Sequence, residues 1–135
     1  MPYVEQSKRP DLDKIVNNIV ENNMFDKSGE LKLGYMIDVL EYLISESIID
    51  LKGSLNYILF KFCKYHIKPS YNNYKIYIAV LEHYAEHLRK TIIKLNAKEY
   101  KTLHAIGELR ETAAEIRRRL LTPYEDEKIK TNGDV

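Results

Sequence analysis

The sequence predicts an all-α fold: one domain, a bundle of five to six helices with a long arginine-rich helix and a short capped helix at its C-terminal end. Three observations carry that expectation. Apolar residues recur at spacings of three and four through most of the chain, as they do on helices with one buried face. No segment sustains the apolar-polar alternation of a half-buried strand between Gly or Pro punctuation. At 135 residues the chain suits one domain that buries roughly two thirds of its unfolded surface, so neither disulfide nor metal is needed to hold it.

The first helix is expected over about 11–24, where Leu12, Ile15, Val16, Ile19 and Val20 form a stripe. Asn22-Asn23 and Asp26-Lys27-Ser28-Gly29 read as loop. A second helix over about 31–49 carries Leu33, Met36, Ile37, Leu40, Leu43, Ile44 and Ile48 on one face and ends at Lys52-Gly53. Ser54 then offers a cap for a third helix with Leu55, Ile58, Leu59, Phe62 and Cys63, which stops before Pro69 because the residue ahead of a proline avoids helical backbone. A fourth helix spans about 73–95, with a break at Asn96-Ala97-Lys98-Glu99, where an N-cap and a Glu three residues on signal a new start. The fifth, about 97–121, has Ile106, Leu109, Ala113, Ile116 and Leu120 in a short coiled-coil-like seam flanked by Arg110, Arg117, Arg118 and Arg119. That seam predicts self-association, unless helix four of the same chain fills it.

The C-terminal stretch has the most concordant local signals. Thr122 suits an N-cap, Pro123 the first helical position, and Glu125 completes a capping box. The expectation is a turn at Thr122 and a new helix over about 123–130, with Lys128 and Lys130 in its last turn and Asn132-Gly133 as its stop. So short a helix is marginal alone, so tertiary contacts must hold it, including pairing of Glu125 and Lys128 with the arginines of helix five or with Asn56 and Tyr57. Thr122→Ala is then expected to cost ~1 kcal/mol through the lost cap.

Composition excludes several function classes. Lys and Arg total 21 against 20 Asp and Glu, a net charge of +1, so there is no global footprint for nucleic acid. No apolar run approaches the ~18 residues of a membrane span, and the N-terminus lacks a basic segment leading into an apolar one. The lone Cys63 lies in an apolar run, which points to a buried, inert thiol and a reducing compartment. A soluble, cytoplasmic protein with no cofactor is expected. Few Gly and Pro and many Ile, Lys, Asn and Tyr resemble the usage of AT-rich genomes, often viral or archaeal.

Three patterns bear on chemistry. His83-Tyr84-Ala85-Glu86-His87 matches H-x-x-E-H, which on a helix sets two imidazoles one turn apart, but a third zinc ligand among His104, Glu108, Glu111 or Glu115 has no distinctive spacing. Two solvent-facing histidines are the expected reading. Glu82 and Glu86 on helix four, with Glu108 and Glu111 on helix five, can face a magnesium-bound nucleotide. Their spacing resembles all-α nucleotide pyrophosphohydrolases only loosely, and ordinary charged outer faces are the expected reading. Tyr65, Tyr71, Tyr74 and Tyr77, interleaved with Lys64, Lys68 and Lys75, can stack bases, but tyrosines half-buried under a loop are the expected reading.

Met1-Pro2-Tyr3-Val4 with Arg9 and Leu12-Asp13, Gly53-Ser54-Leu55-Asn56-Tyr57, Ile106-Gly107, Arg117-Arg118, Pro123-Tyr124-Glu125, Lys128 and Asn132-Gly133-Asp134-Val135 together resemble an uncharacterised family of small helical proteins. This is a domain of unknown function found in phage, archaeal and bacterial sequences. Against the shorter family pattern, 31–49 and 72–98 look like added helices. The resemblance singles out Asn56, Tyr57, Arg117, Arg118, Tyr124, Glu125, Lys128, Asn132 and Asp134, polar positions that core packing does not require. They form either a structural network, with Arg117 or Arg118 holding Glu125, or a site for an anionic ligand or partner. The functional expectation is a non-catalytic, homo-oligomeric binding protein that takes an anionic or nucleotide-like ligand through the arginine-rich helix and tail. The rival is a metal-dependent nucleotide hydrolase.

Overall fold

The computed structural model of the chain describes residues 4, 6–20, 24–45, 53–95 and 100–133. They form α1 (Arg9–Ile19), α2 (Leu33–Ser45), α3 (Ser54–His66), α4 (Tyr71–Leu95), α5 (Tyr100–Ile116) and α6 (Thr122–Asn132), with a 3-10 turn at Gln6–Lys8 and a π turn at Arg117–Leu121. Among the described residues the only β-type pairing is an isolated bridge between Phe25 and Leu31. The predicted all-α bundle is therefore the fold observed.

The bundle is organised around α3. Eight of its thirteen residues are buried, among them Leu55, Ile58, Leu59, Phe62 and Cys63. α1 and α5 pack against it. From α4, Tyr77 stacks on Phe62 at 6.2 Å between ring centroids and donates its hydroxyl to the Leu59 carbonyl at 2.6 Å. Burial pushes the Cys63 thiol well above its ordinary pKa, which makes it the inert core sulfur its sequence context predicts.

Several boundaries shift for identifiable reasons. α1 starts at Arg9 with Pro10 in its first turn and ends at Ile19, five residues before the predicted end. Asp26 organises the loop that follows: its Oδ1 accepts from the amides of Ser28 and Glu30 at 2.8 and 3.1 Å and from the Ser28 hydroxyl at 2.6 Å. Gly29 takes a positive φ of 86° there. Buried Asn73 ties this loop to α4, accepting from the Leu31 amide at 2.8 Å and donating to the Lys68 carbonyl at 3.0 Å. Ser70, read from the sequence as loop, accepts from the Asn73 amide at 3.0 Å, so α4 begins at Tyr71 rather than Asn73. On α2 the predicted stripe is buried at Met36, Leu40 and Leu43, but Leu33 is 55% exposed.

Ser54 does not cap α3. Gly53 occupies the N-cap at φ 84°, and Ser54 is the first helical residue, fully buried. The capping acceptor comes from α5 instead: Glu108 Oε1 receives the Asn56 amide at 3.3 Å. A carboxylate at a helix N-terminus also meets the positive end of the dipole.

Ion pairs from Glu86 to Arg110 and from Glu82 to Arg117 show that α5 runs back antiparallel along α4. The two are therefore separate helices, while the predicted break at 96–99 lies outside the described residues, as do 46–49 of the predicted second helix. Ile106, Leu109, Ala113 and Ile116 are all buried, and α4 is the helix packed most extensively on α5. The seam is occupied within the chain.

The predicted turn at Thr122 is absent. Thr122 has helical dihedrals (φ −61°, ψ −47°), and its amide bonds the Arg117 carbonyl five residues back, so α5 runs through the π turn into α6. Pro123 explains this geometry. It has no N–H for the carbonyl four residues earlier, and the wider turn accommodates its ring without ending the helix. Thr122 and Glu125 are exposed, and no side-chain hydrogen bond caps α6. The Asn132-Gly133 stop is as predicted: α6 ends at Asn132, Gly133 has φ 85°, and its amide bonds the Ile129 carbonyl at 2.8 Å. No helix among the described residues is long and apolar enough to cross a membrane.

Candidate functional site: a basic cleft beside the π turn

The three consecutive arginines go to three different places. Arg117 reaches Glu82 on α4 at 3.4 Å. Arg118 is exposed and has no partner among the described residues. Arg119 turns to α3, where its guanidinium carbon lies 4.3 Å from the Phe60 ring centroid and Nη1 is 3.4 Å from Glu115 Oε2. An α-helix turns about 100° per residue, and the extra residue of a π turn changes which face the flanking side chains take. Here Arg117 is directed to α4 and Arg119 to α3.

Arg119 stands at a cleft of about 290 Å³ whose wall is α3, through Asn56, Tyr57, Phe60, Lys61, Lys64 and Tyr65, with Arg9 of α1 and Glu115 of α5 closing it. The α3 contribution follows from helical spacing: Tyr57, Lys61, Lys64 and Tyr65 fall at intervals of three and four and share a face. Two of the polar positions singled out by the resemblance are here. Asn56 is buried at the base, where its Nδ2 donates to Thr112 Oγ1 at 2.8 Å and that hydroxyl donates to the Glu108 carbonyl at 2.7 Å. Tyr57 donates its hydroxyl to Asp13 at 2.8 Å and accepts from Lys61 at 3.2 Å, while Lys61 also donates to Asp13 at 2.7 Å.

This triad shapes the electrostatics. The hydrogen bond to Asp13 raises the Lys61 pKa above its ordinary value. Burial alone would raise Asp13, but hydrogen bonds from Lys61 and Tyr57 bring its carboxyl below the usual range. Burial, with the bond to Asp13, pushes the Tyr57 phenol up. Lys61 stays charged and Tyr57 stays neutral at physiological pH. Arg9 lies 5.8 Å from the Tyr57 ring centroid and Lys64 5.3 Å from that of Tyr65. Neither makes an ion-pair contact among the described residues, although the Arg9 charge helps to lower Asp13 and its Nε donates to the Val4 carbonyl at 3.2 Å. Arg9, Lys61, Lys64 and Arg119 thus outnumber the two nearby carboxylates, Asp13 and Glu115.

The remaining tail residues do not join the cleft. Tyr124 packs edge-on against Tyr74 at 5.8 Å, with Lys128 over its ring at 5.4 Å. Glu125 is exposed and pairs with neither Arg117 nor Arg118, and α6 has no buried residue. The docking predicted for the tail therefore reduces to Tyr124. Asn132 is the exposed last residue of α6, and Asp134 lies outside the described residues.

The carboxylates of the hydrolase reading are not gathered. Glu86 holds Arg89 at 2.5 Å and Arg110 at 3.4 Å, and Glu82 holds Arg117, whereas Glu108 is turned to the start of α3 and Glu111 is half-buried on α5. Among the described residues no three of His, Cys, Asp and Glu are grouped to hold a metal. His83 is exposed beside an apolar groove between α2 and α4, and exposed His87 lies 5.8 Å from the Tyr84 ring. Of the tyrosine cluster only Tyr65 reaches the cleft. Tyr74 and Tyr77 are buried, and Tyr71 is exposed with Lys75 over it.

Fold and cleft together define a small all-α domain with a cation-rich, aromatic-walled recess. The chain belongs to the family described as a domain of unknown function, DUF6899, whose model matches residues 1–95 and 87–135. No curated protein and no solved structure matches the chain. Both stretches set apart as added helices, 31–49 and 72–98, lie within the matched residues. Phe60 and Lys61 are the cleft residues that sequence reasoning missed. Their positions three and four residues after Tyr57, on the side that also carries Lys64, are the signal that points to them.

Proposed function

We propose that this is a non-catalytic binding protein that captures a small anionic ligand in the cleft between α1, α3 and the end of α5. The observation that carries the reading is the position of Arg119, lying across Phe60 at a recess that also holds Arg9, Lys61 and Lys64. Guanidinium and ammonium groups with low-dielectric aromatic walls hold anions by charge-assisted hydrogen bonds. A binding rather than catalytic role fits the two carboxylates present. Asp13 is bound to Lys61 and Tyr57, and Glu115 to Arg119, so neither stands ready as a general base. Compared with the sequence expectation, the proposed site keeps Asn56 and Tyr57 and exchanges Arg117, Arg118 and the tail for Arg119 and further residues of α3. The reading makes no use of self-association.

Titration calorimetry with inorganic phosphate at low salt tests the reading. Saturable binding at one site is expected, weakened roughly tenfold or more by Arg9→Ala or Arg119→Ala, since a hydrogen bond to a charged group contributes about 1.5–3 kcal/mol. Arg118→Ala serves as the control. Equal weakening by the control, or no saturable binding, would sink the proposal.

A further inference from the structure

Charge and shape in the cleft select among anions. Among the described residues, Arg9, Lys61, Lys64 and Arg119 meet two carboxylates, Glu115 in the lining and Asp13 paired with Lys61, an excess of two positive charges. A phosphomonoester carries about −1.5 to −2 at neutral pH, whereas a diester, the unit of a nucleic-acid backbone, carries one negative charge per phosphate. The monoester therefore neutralises the excess, and a diester leaves half of it.

The aromatic walls are not equivalent. The Phe60 face is covered by Arg119, and the Tyr57 ring has Arg9 and Lys61 within 5.8 and 5.4 Å of its centroid. Tyr65 is 62% exposed, and among the described residues only Lys64, at 5.3 Å, lies over its ring, which leaves a face open beside the cations. A planar ring stacks on such a face in water. The volume of about 290 Å³ lies at the small end of ligand sites, which start near ~300 Å³.

We infer that the cleft takes a small phosphomonoester joined to a planar aromatic group, of nucleoside-monophosphate size, with the phosphate among Arg119, Lys61 and Arg9 and the ring against Tyr65. The inference rests on the anion-binding reading above. Calorimetry with AMP, cyclic AMP, adenosine and inorganic phosphate separates the two. AMP is expected to bind about tenfold more tightly than inorganic phosphate and than cyclic AMP, with adenosine weaker than either. Tyr65→Ala, a change at an exposed position, is expected to bring AMP affinity down to that of phosphate measured on the same variant. Cyclic AMP binding as tightly as AMP would overturn the charge match. Phosphate binding as tightly as AMP, or indifference to Tyr65→Ala, would overturn the ring contact while the anion site stands. Absence of both AMP and phosphate binding would overturn the site itself.

Discussion

Helices α3 and α6 are of similar length, and both contain polar residues that the family resemblance singles out, yet the bundle treats them in opposite ways. α3 is buried around much of its circumference, and its polar groups are committed: Asn56 to Thr112 and Glu108, Tyr57 to Asp13 and Lys61. α6 buries nothing, touches the core through Tyr124, and leaves Ile129 46% exposed. The difference teaches that local start and stop signals specify where a helix can lie in the sequence, not whether it docks. Docking requires an apolar stripe, and Tyr124 and Ile129, five residues apart, do not make one.

The largest test of that contrast removes comparable apolar groups from each helix. Leu59 is fully buried in α3, so Leu59→Ala is expected to destabilise by about 3 kcal/mol through lost transfer energy and the cavity left behind. Ile129→Ala on α6 should stay within about 0.5 kcal/mol. Urea denaturation of the two variants measures both, and similar shifts in midpoint would mean that α6 is docked more firmly than its exposure indicates.

A second test sharpens the contrast through pH. Burial raises the Glu108 pKa above its ordinary value near 4.5, although the amide bonds it receives work the other way, and its Oε2 is buried without a hydrogen-bond partner. Between the ordinary and the raised value the folded state binds more protons than the unfolded state, so stability falls as pH rises through that window. Asp13 and Asp26 act oppositely, since their lowered values contribute stability that is lost on acidification. The comparison of wild type with Glu108→Gln isolates the buried carboxyl, because any cost of the neutral amide is the same at every pH. The variant is expected to gain relative to wild type as pH rises from 4.5 towards neutrality. A difference that stays flat over this range would show that Glu108 titrates as an exposed carboxyl.

What the sequence made legible follows from the same physics. Apolar periodicity marked each α-helix of the bundle proper, because burial is a demand made residue by residue. Caps were less legible. Ser54 and Thr122 both have the chemistry of an N-cap, but Gly53 with its positive φ displaces the first, and an uninterrupted helical backbone removes the role of the second. A π turn needs only one residue of slack, so the arginine run and Pro123 do not reveal it in advance. The cleft was half legible. Asn56 and Tyr57 stood out by resemblance, and Lys64 and Tyr65 by the interleaving of aromatic and basic residues. Their convergence with Arg9 and Arg119 joins three helices across more than a hundred residues of sequence, a long-range pairing that local spacing does not encode. Glu108, a metal-ligand candidate only in the rival reading of the sequence, serves as the capping acceptor for α3.

The smallest expected effect has the most informative sign. If Thr122 capped a new helix, Thr122→Ala would lose ~1 kcal/mol. In the structure Thr122 is exposed, lies in helical backbone, and makes no capping bond. It is also β-branched and precedes a proline, and both features disfavour the helical conformation that it is made to adopt. Alanine relieves the first and carries the highest intrinsic helix propensity, so the substitution is expected to stabilise by up to ~0.5 kcal/mol. Denaturation of Thr122→Ala beside wild type reads the sign directly: a gain supports one helix running from α5 through the π turn into α6, and a loss near 1 kcal/mol would restore the turn and capping box that the sequence alone predicts.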